Sequence, residues 1–137
     1  MKLIPDAAWA VATIWMESRG EPQSGKVGVA EVIRDRVAQH YMCNGQSIAE
    51  CVLRPLQFSS WSTHDNNRLL VGELDDADPV VQSCAAAWAT ALSGSRVVNG
   101  ALIYLNPAYA DRNFVQHIRA TCDQTAEIGG HLFFRPR

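Results

Sequence analysis

Glu17 is the residue whose position most needs a chemical reason. It follows residues 7–15, where Ala7, Ala8, Trp9, Ala10, Val11, Ala12, Ile14 and Trp15 are apolar on nearly every side of a helix. Two effects act on a carboxyl group at the end of such a helix, and both disfavour its anion: burial against Trp9 and Ile14, and the partial negative charge of the unpaired terminal carbonyls. A carboxyl that keeps its proton near neutral pH is what a general acid at a glycosidic oxygen requires. The plainer alternative is that Glu17 reaches solvent or pairs with Arg19 or Arg36, the commoner fate of a glutamate at an arbitrary helix end. Glu21 is the rival carboxylate, but Pro22 holds it in an extended segment. It reads as a structural residue, exposed or paired with an arginine.

A sugar polymer also calls for amide and hydroxyl partners and for aromatic faces against its rings. Gln57, Ser59, Trp61 and Asn66 supply that chemistry within one loop. An ordinary polar loop, with Phe58 or Trp61 plugging the core, is the competing reading. Tyr104 is either a partner near Glu17 or a half-buried strand tyrosine. His131 is a candidate substrate contact and otherwise a hydrogen-bonded structural histidine. Glycosidic cleavage usually takes two carboxylates, and no second one declares itself. Asp65, Glu73, Asp75, Asp76 and Asp78 read as solvated loop, with Asp78 as a helix cap. His40, His64 and His117 share no ligand spacing, so neither a metal site nor a cofactor is expected.

The elements that must position these groups are mostly helical. A first helix is predicted over Asp6–Ser18, capped by Asp6 and ended by Arg19-Gly20 and Pro22. A second covers about 24–40, with Val29, Val32, Ile33 and Val37 inward and Glu31, Arg34 and Asp35 outward. A short helix fits 47–53, and residues 56–67 read as loop. A third long helix fits Pro79–Leu92, with Asp78 as cap, Pro79 in its first turn and Gly94 beyond its end. Residues 101–105 and 131–134 are β-prone runs expected to pair as an antiparallel ribbon, with 110–124 partly helical between them. The fold class is therefore mainly α (α+β): a helical core with a small antiparallel β ribbon.

With 137 residues, 47% hydrophobic and 19% charged, the chain reads as a single domain over 1–137. Such a domain buries roughly two-thirds of its unfolded surface. A net charge of −2 leaves no basic stripe for a phosphate backbone, so no nucleic acid and no membrane surface is expected as partner. The N-terminus lacks the apolar core of a signal peptide. A protein acting on cell wall then needs another exit, such as membrane lysis by a partner. Of four cysteines, Cys84 reads as a buried thiol, and Cys43 with Cys51 is the most plausible pair if the chain is oxidised.

Residues 14–22, Ile-Trp-Met-Glu-Ser-Arg-Gly-Glu-Pro, then Gly25-Lys26-Val27 and Val29-Ala30, resemble the signature of the spore cortex-lytic (SleB-type) cell-wall hydrolases. Gln57-Phe58-Ser59, Gly100-Ala101 with Tyr104 and Asn106-Pro107, and Ile128-Gly129-Gly130-His131-Leu132-Phe133 resemble further elements of that family, in the same order. The chain departs from the pattern at Met16, Ser18 and Asp35, where Gly, Ala and Asn are usual. The resemblance implies a lysozyme-like fold similar to the lytic transglycosylases, with Glu17 as the acid. It implies peptidoglycan glycan strands as substrate, cut between MurNAc and GlcNAc, with Glu17 protonating the bridging oxygen and then helping the sugar's 6-hydroxyl close an anhydro ring. The setting it suggests is a monomeric phage lysis enzyme, made in the host cytoplasm and acting in the periplasm and wall. The alternatives are a hydrolytic muramidase of the same fold with Asp65 or Glu73 positioning water, a stem-peptide amidase, and a non-catalytic glycan-binding module.

Overall fold

The computed structural model describes residues 6–54 and 74–137. In chain order these form α1 (Asp6–Ser18), α2 (Gln23–Gln39), α3 (Ile48–Val52), α4 (Pro79–Leu92), β1 (Ile103–Leu105), α5 (Arg112–Thr121), β2 (Cys122–Ile128) and β3 (His131–Pro136). Helices α1 to α4 enclose the larger core, in which Ala10, Ile14, Val29, Ile33, Val52, Cys84 and Trp88 meet. Small residues let α4 come close to its neighbours: Ala87 and Ala91 are fully buried. Among the described residues no helix is long and apolar enough to cross a membrane.

The sheet has three strands in the order β1-β3-β2, all antiparallel. Pairing of 101–105 with 131–134 follows the sequence reading. The third strand, β2, was not expected. Its residues alternate poorly and only one of the seven is buried, because β2 is an edge strand that buries little, so periodicity carries almost no signal there. A bulge at Thr125 interrupts its pairing, and the Thr125 hydroxyl donates to the Val98 carbonyl at 2.7 Å. Phe133, Val32, Val98 and Ala101 join sheet to helices in a second cluster. There α2 approaches so closely that a Cβ on Gly28 would lie 2.8 Å from the Phe133 ring.

Several local expectations change with tertiary context. Asp6 begins α1 rather than serving only as its cap, and its carboxylate accepts from the Ile48 and Ala49 amides at the start of α3. Glu31, expected on the outer face of α2, is fully buried. It accepts hydrogen bonds from the Ser95 hydroxyl (2.6 Å), the Val97 amide (2.9 Å) and the Val98 amide (3.1 Å). Arg34 also turns inward, donating to the Ala91 and Ser95 carbonyls, while Asp35 stays beside it at 2.8 Å. Thus the polar stripe of α2 ties down the turn after α4 instead of meeting water. The third long helix matches its expectation at both ends, with the Asp78 carboxylate accepting from the Val80 amide at 2.7 Å. Cys43 and Cys51 form a disulfide, and Cys84 is a buried free thiol, as is Cys122.

Candidate active site

Glu17 stands on the last turn of α1, and the chain braces the turn between α1 and α2 from three sides. From within α1, the Ser18 hydroxyl donates to the Ile14 carbonyl at 2.7 Å, and Arg19 lays its guanidinium 4.2 Å from the Trp15 ring centre. From α2, the buried Lys26 donates to the Glu21 carbonyl at 2.8 Å. From the sheet, the β2–β3 turn docks on Glu21, whose carboxylate accepts from the Gly130 amide at 3.2 and 3.3 Å.

Glu21 is therefore not exposed, and among the described residues it pairs with no arginine, contrary to expectation. Its side chain is mostly covered and faces His131, with Oε1 3.6 Å from Nδ1. The turn it holds needs glycine: Gly129 has φ +57°, and a Cβ there would strike the Glu21 carboxylate. Ser18 and Met16, both departures from the family pattern, are accommodated as buried residues of α1.

A groove of about 1330 Å³ opens beside this turn. Glu17 is half-buried on its wall. Tyr104, in the middle of β1, reaches the same place. Its hydroxyl is shielded from solvent, and the phenol is pushed well above its ordinary range by burial first, then by the charge of the nearby Glu17. Arg36 comes from α2, 5% exposed, with Nε donating to the Leu102 carbonyl at 2.7 Å. Burial lowers its pKa, while the charge of Glu17 is among the influences that raise it again. The Arg36 guanidinium and the Tyr104 phenol thus both lie within electrostatic reach of Glu17.

His131 lies behind Tyr104, ring centres 5.2 Å apart and edge to face. Burial lowers its pKa, and the Glu21 charge offsets part of that. Of the residues expected to form the site, Glu17, Tyr104 and His131 meet in this groove. Gln57, Ser59 and Trp61 lie outside the described residues, as do Asn66, Asp65 and Glu73.

The far wall was not foreseen. Helix α5 turns Phe114, His117, Ile118 and Thr121 toward the groove, the one-face spacing of a helix, and Tyr109 stands just before it, 88% exposed. Exposed Tyr109 and Phe114 offer the apolar faces that the sequence reading sought only in residues 56–67. The recurrence of Phe114 and Ile118 four apart was the available signal. It was weak because Val115 alone extends it. Asp111, the third carboxylate on the groove, is occupied as the α5 cap, accepting from the Asn113 and Phe114 amides.

A family model described as Cell Wall Hydrolase matches residues 20–134. Two solved structures are similar over nearly the whole chain. One is the catalytic domain of the germination-specific lytic transglycosylase SleB from Bacillus anthracis: 24% identity, TM-score 0.73, covering 98% of this chain and 97% of that one. The other is the catalytic domain of the Bacillus cereus SleB protein: 25% identity, TM-score 0.71, covering 95% and 89%. No curated protein matches the chain with significance. The family match begins at residue 20, just after Glu17.

Proposed function

Since the chain belongs to the cell wall hydrolase family, we propose that it cuts the MurNAc–GlcNAc glycan strand of peptidoglycan as a lytic transglycosylase, with Glu17 as its single acid and base. The observation that carries this reading is the half-buried Glu17 on the wall of a large open groove, in contact with Tyr104 and under the charge of Arg36. The first half-reaction needs a protonated Glu17 to give its proton to the bridging oxygen. The second needs the carboxylate to take the proton of the sugar's own 6-hydroxyl as that oxygen closes on the anomeric carbon. The Tyr104 phenol keeps its own proton throughout the working pH range and orients the Glu17 carboxyl. No second carboxylate on the described part of the groove is free to activate water, since Glu21 and Asp111 are bound to backbone amides. That favours the transglycosylase route over a hydrolytic muramidase.

We place the enzyme in phage-driven host lysis, as a monomer made in the host cytoplasm and acting in the periplasm and wall, with residues 1–137 forming a catalytic domain. The Cys43–Cys51 disulfide supports a site of action outside the reducing cytosol.

Glu17→Gln tests the assignment. It keeps the fold and abolishes release of soluble fragments from purified peptidoglycan, a loss of about 10²–10⁴-fold from the missing proton transfer. Near wild-type clearing by that variant sinks the assignment. Mass spectrometry of wild-type products gives anhydromuramic ends for the proposed route and reducing ends for the muramidase.

A further inference from the structure

A second hollow, of about 410 Å³, adjoins the Glu17 groove, and Tyr41 and Pro136 line both. At its base Gly100 takes φ +82°, a conformation glycine adopts without a Cβ clash. A Cβ added there would lie 3.3 Å from Nη2 of Arg96 and 3.8 Å from Nη1 of Arg135. Two guanidinium groups thus flank one point above a bare stretch of backbone.

The nearby carboxylates are turned elsewhere. Asp35, which also lines the hollow, is bound by Arg34 at Nε (2.8 Å) and Nη2 (3.2 Å). Asp123 stands opposite Arg135 across the β2–β3 ladder, yet it pairs with Arg137 at 2.9 Å. Among the described residues neither Arg96 nor Arg135 has an ion pair or a side-chain hydrogen bond. In a chain of net charge −2, two adjacent uncompensated cations repel one another, and an anion between them relieves that repulsion. The guanidinium fork suits a planar oxyanion held by paired N–H donors.

We propose that Arg96 and Arg135 form an oxyanion subsite that grips a carboxylate of the wall's stem peptides while the glycan lies in the adjoining groove. The subsite rests on the glycan reading of that groove. It makes stem-bearing strands better ligands than bare ones. A phosphate of wall-linked polymers has the same chemistry and is the other source to be distinguished.

Binding by the silenced Glu17→Gln chain is compared with that of the same chain carrying R96Q and R135Q. The ligands are intact sacculi, sacculi stripped of phosphate polymers with hydrofluoric acid, and stem-free glycan strands released by an amidase. The expected result is binding roughly three- to ten-fold weaker in the double variant on both kinds of sacculi at low salt, with no difference on stem-free strands. R96K with R135K, which keeps the charges and loses the fork, falls between. A difference that vanishes after hydrofluoric acid overturns the stem carboxylate in favour of phosphate. Equal binding to intact sacculi by parent and glutamine variant, at unchanged melting temperature, overturns the subsite. Because the readout is binding, near wild-type cleavage by Glu17→Gln refutes the assignment of Glu17 without touching this result.

Discussion

Two residues beside Glu17 lend themselves to measurement. The Tyr104 hydroxyl lies near the Glu17 carboxyl in a place shielded from water, where one donor counts for more than at the surface. Tyr104→Phe keeps the ring that packs on Phe133 and His131 and removes only that donor. The expected outcome is a fall in kcat on the order of 10²-fold with little change in KM, read from initial rates on purified glycan strands. His131 gives a pH signature. Its native pKa lies below the ordinary 6.5, chiefly through burial. Between those two values the unfolded chain binds the proton and the native chain does not, so stability is complete above about pH 6.5 and declines as pH falls toward the native value. Melting temperatures followed downward from pH 7.5 show that decline in the wild type and a flatter one in His131→Gln.

At the scale of elements, α2 is the member on which the others depend. One of its faces meets the helical core, another touches the sheet through Gly28, and its polar stripe holds the turn after α4 through Glu31. Gly28→Ala forces a methyl against Phe133 and Val98, both fully buried and unable to retreat. The expected cost is about 1–3 kcal/mol of overpacking, seen as a lowered denaturant midpoint with unchanged slope. Glu31→Gln preserves the shape but weakens three hydrogen bonds to a buried carboxylate, for a loss of about 1–3 kcal/mol. Read as a sequence, α2 showed a correct apolar face and a misjudged polar one. Periodicity identifies which residues face the larger core, but it cannot reveal that a second chain segment covers the opposite side. The same gap hid β2, whose polar residues satisfy a sheet edge without burying a face.

For the whole molecule, the Cys43–Cys51 disulfide closes a short loop after α2. Its reduction is expected to cost about 2–3 kcal/mol in the chain-entropy account, seen as a lower melting temperature in reducing buffer while Cys84 and Cys122 stay unmodified by thiol reagents until unfolding. What the amino-acid sequence alone determined was local: the apolar helix that carries Glu17 in its last turn, the cap and breaker that bound α4, the pairing of the two β-prone runs, and the motifs that led to the family. These follow from short-range periodicity and from residue types with strong conformational demands. Only the tertiary structure brought Tyr104 and Arg36 to the Glu17 carboxyl, set His131 against Glu21 as that residue holds a glycine turn, and aimed Arg96 and Arg135 at one point. Those relations join residues tens of positions apart, and their distances are fixed by the packing of α2 between helices and sheet, which no local pattern encodes.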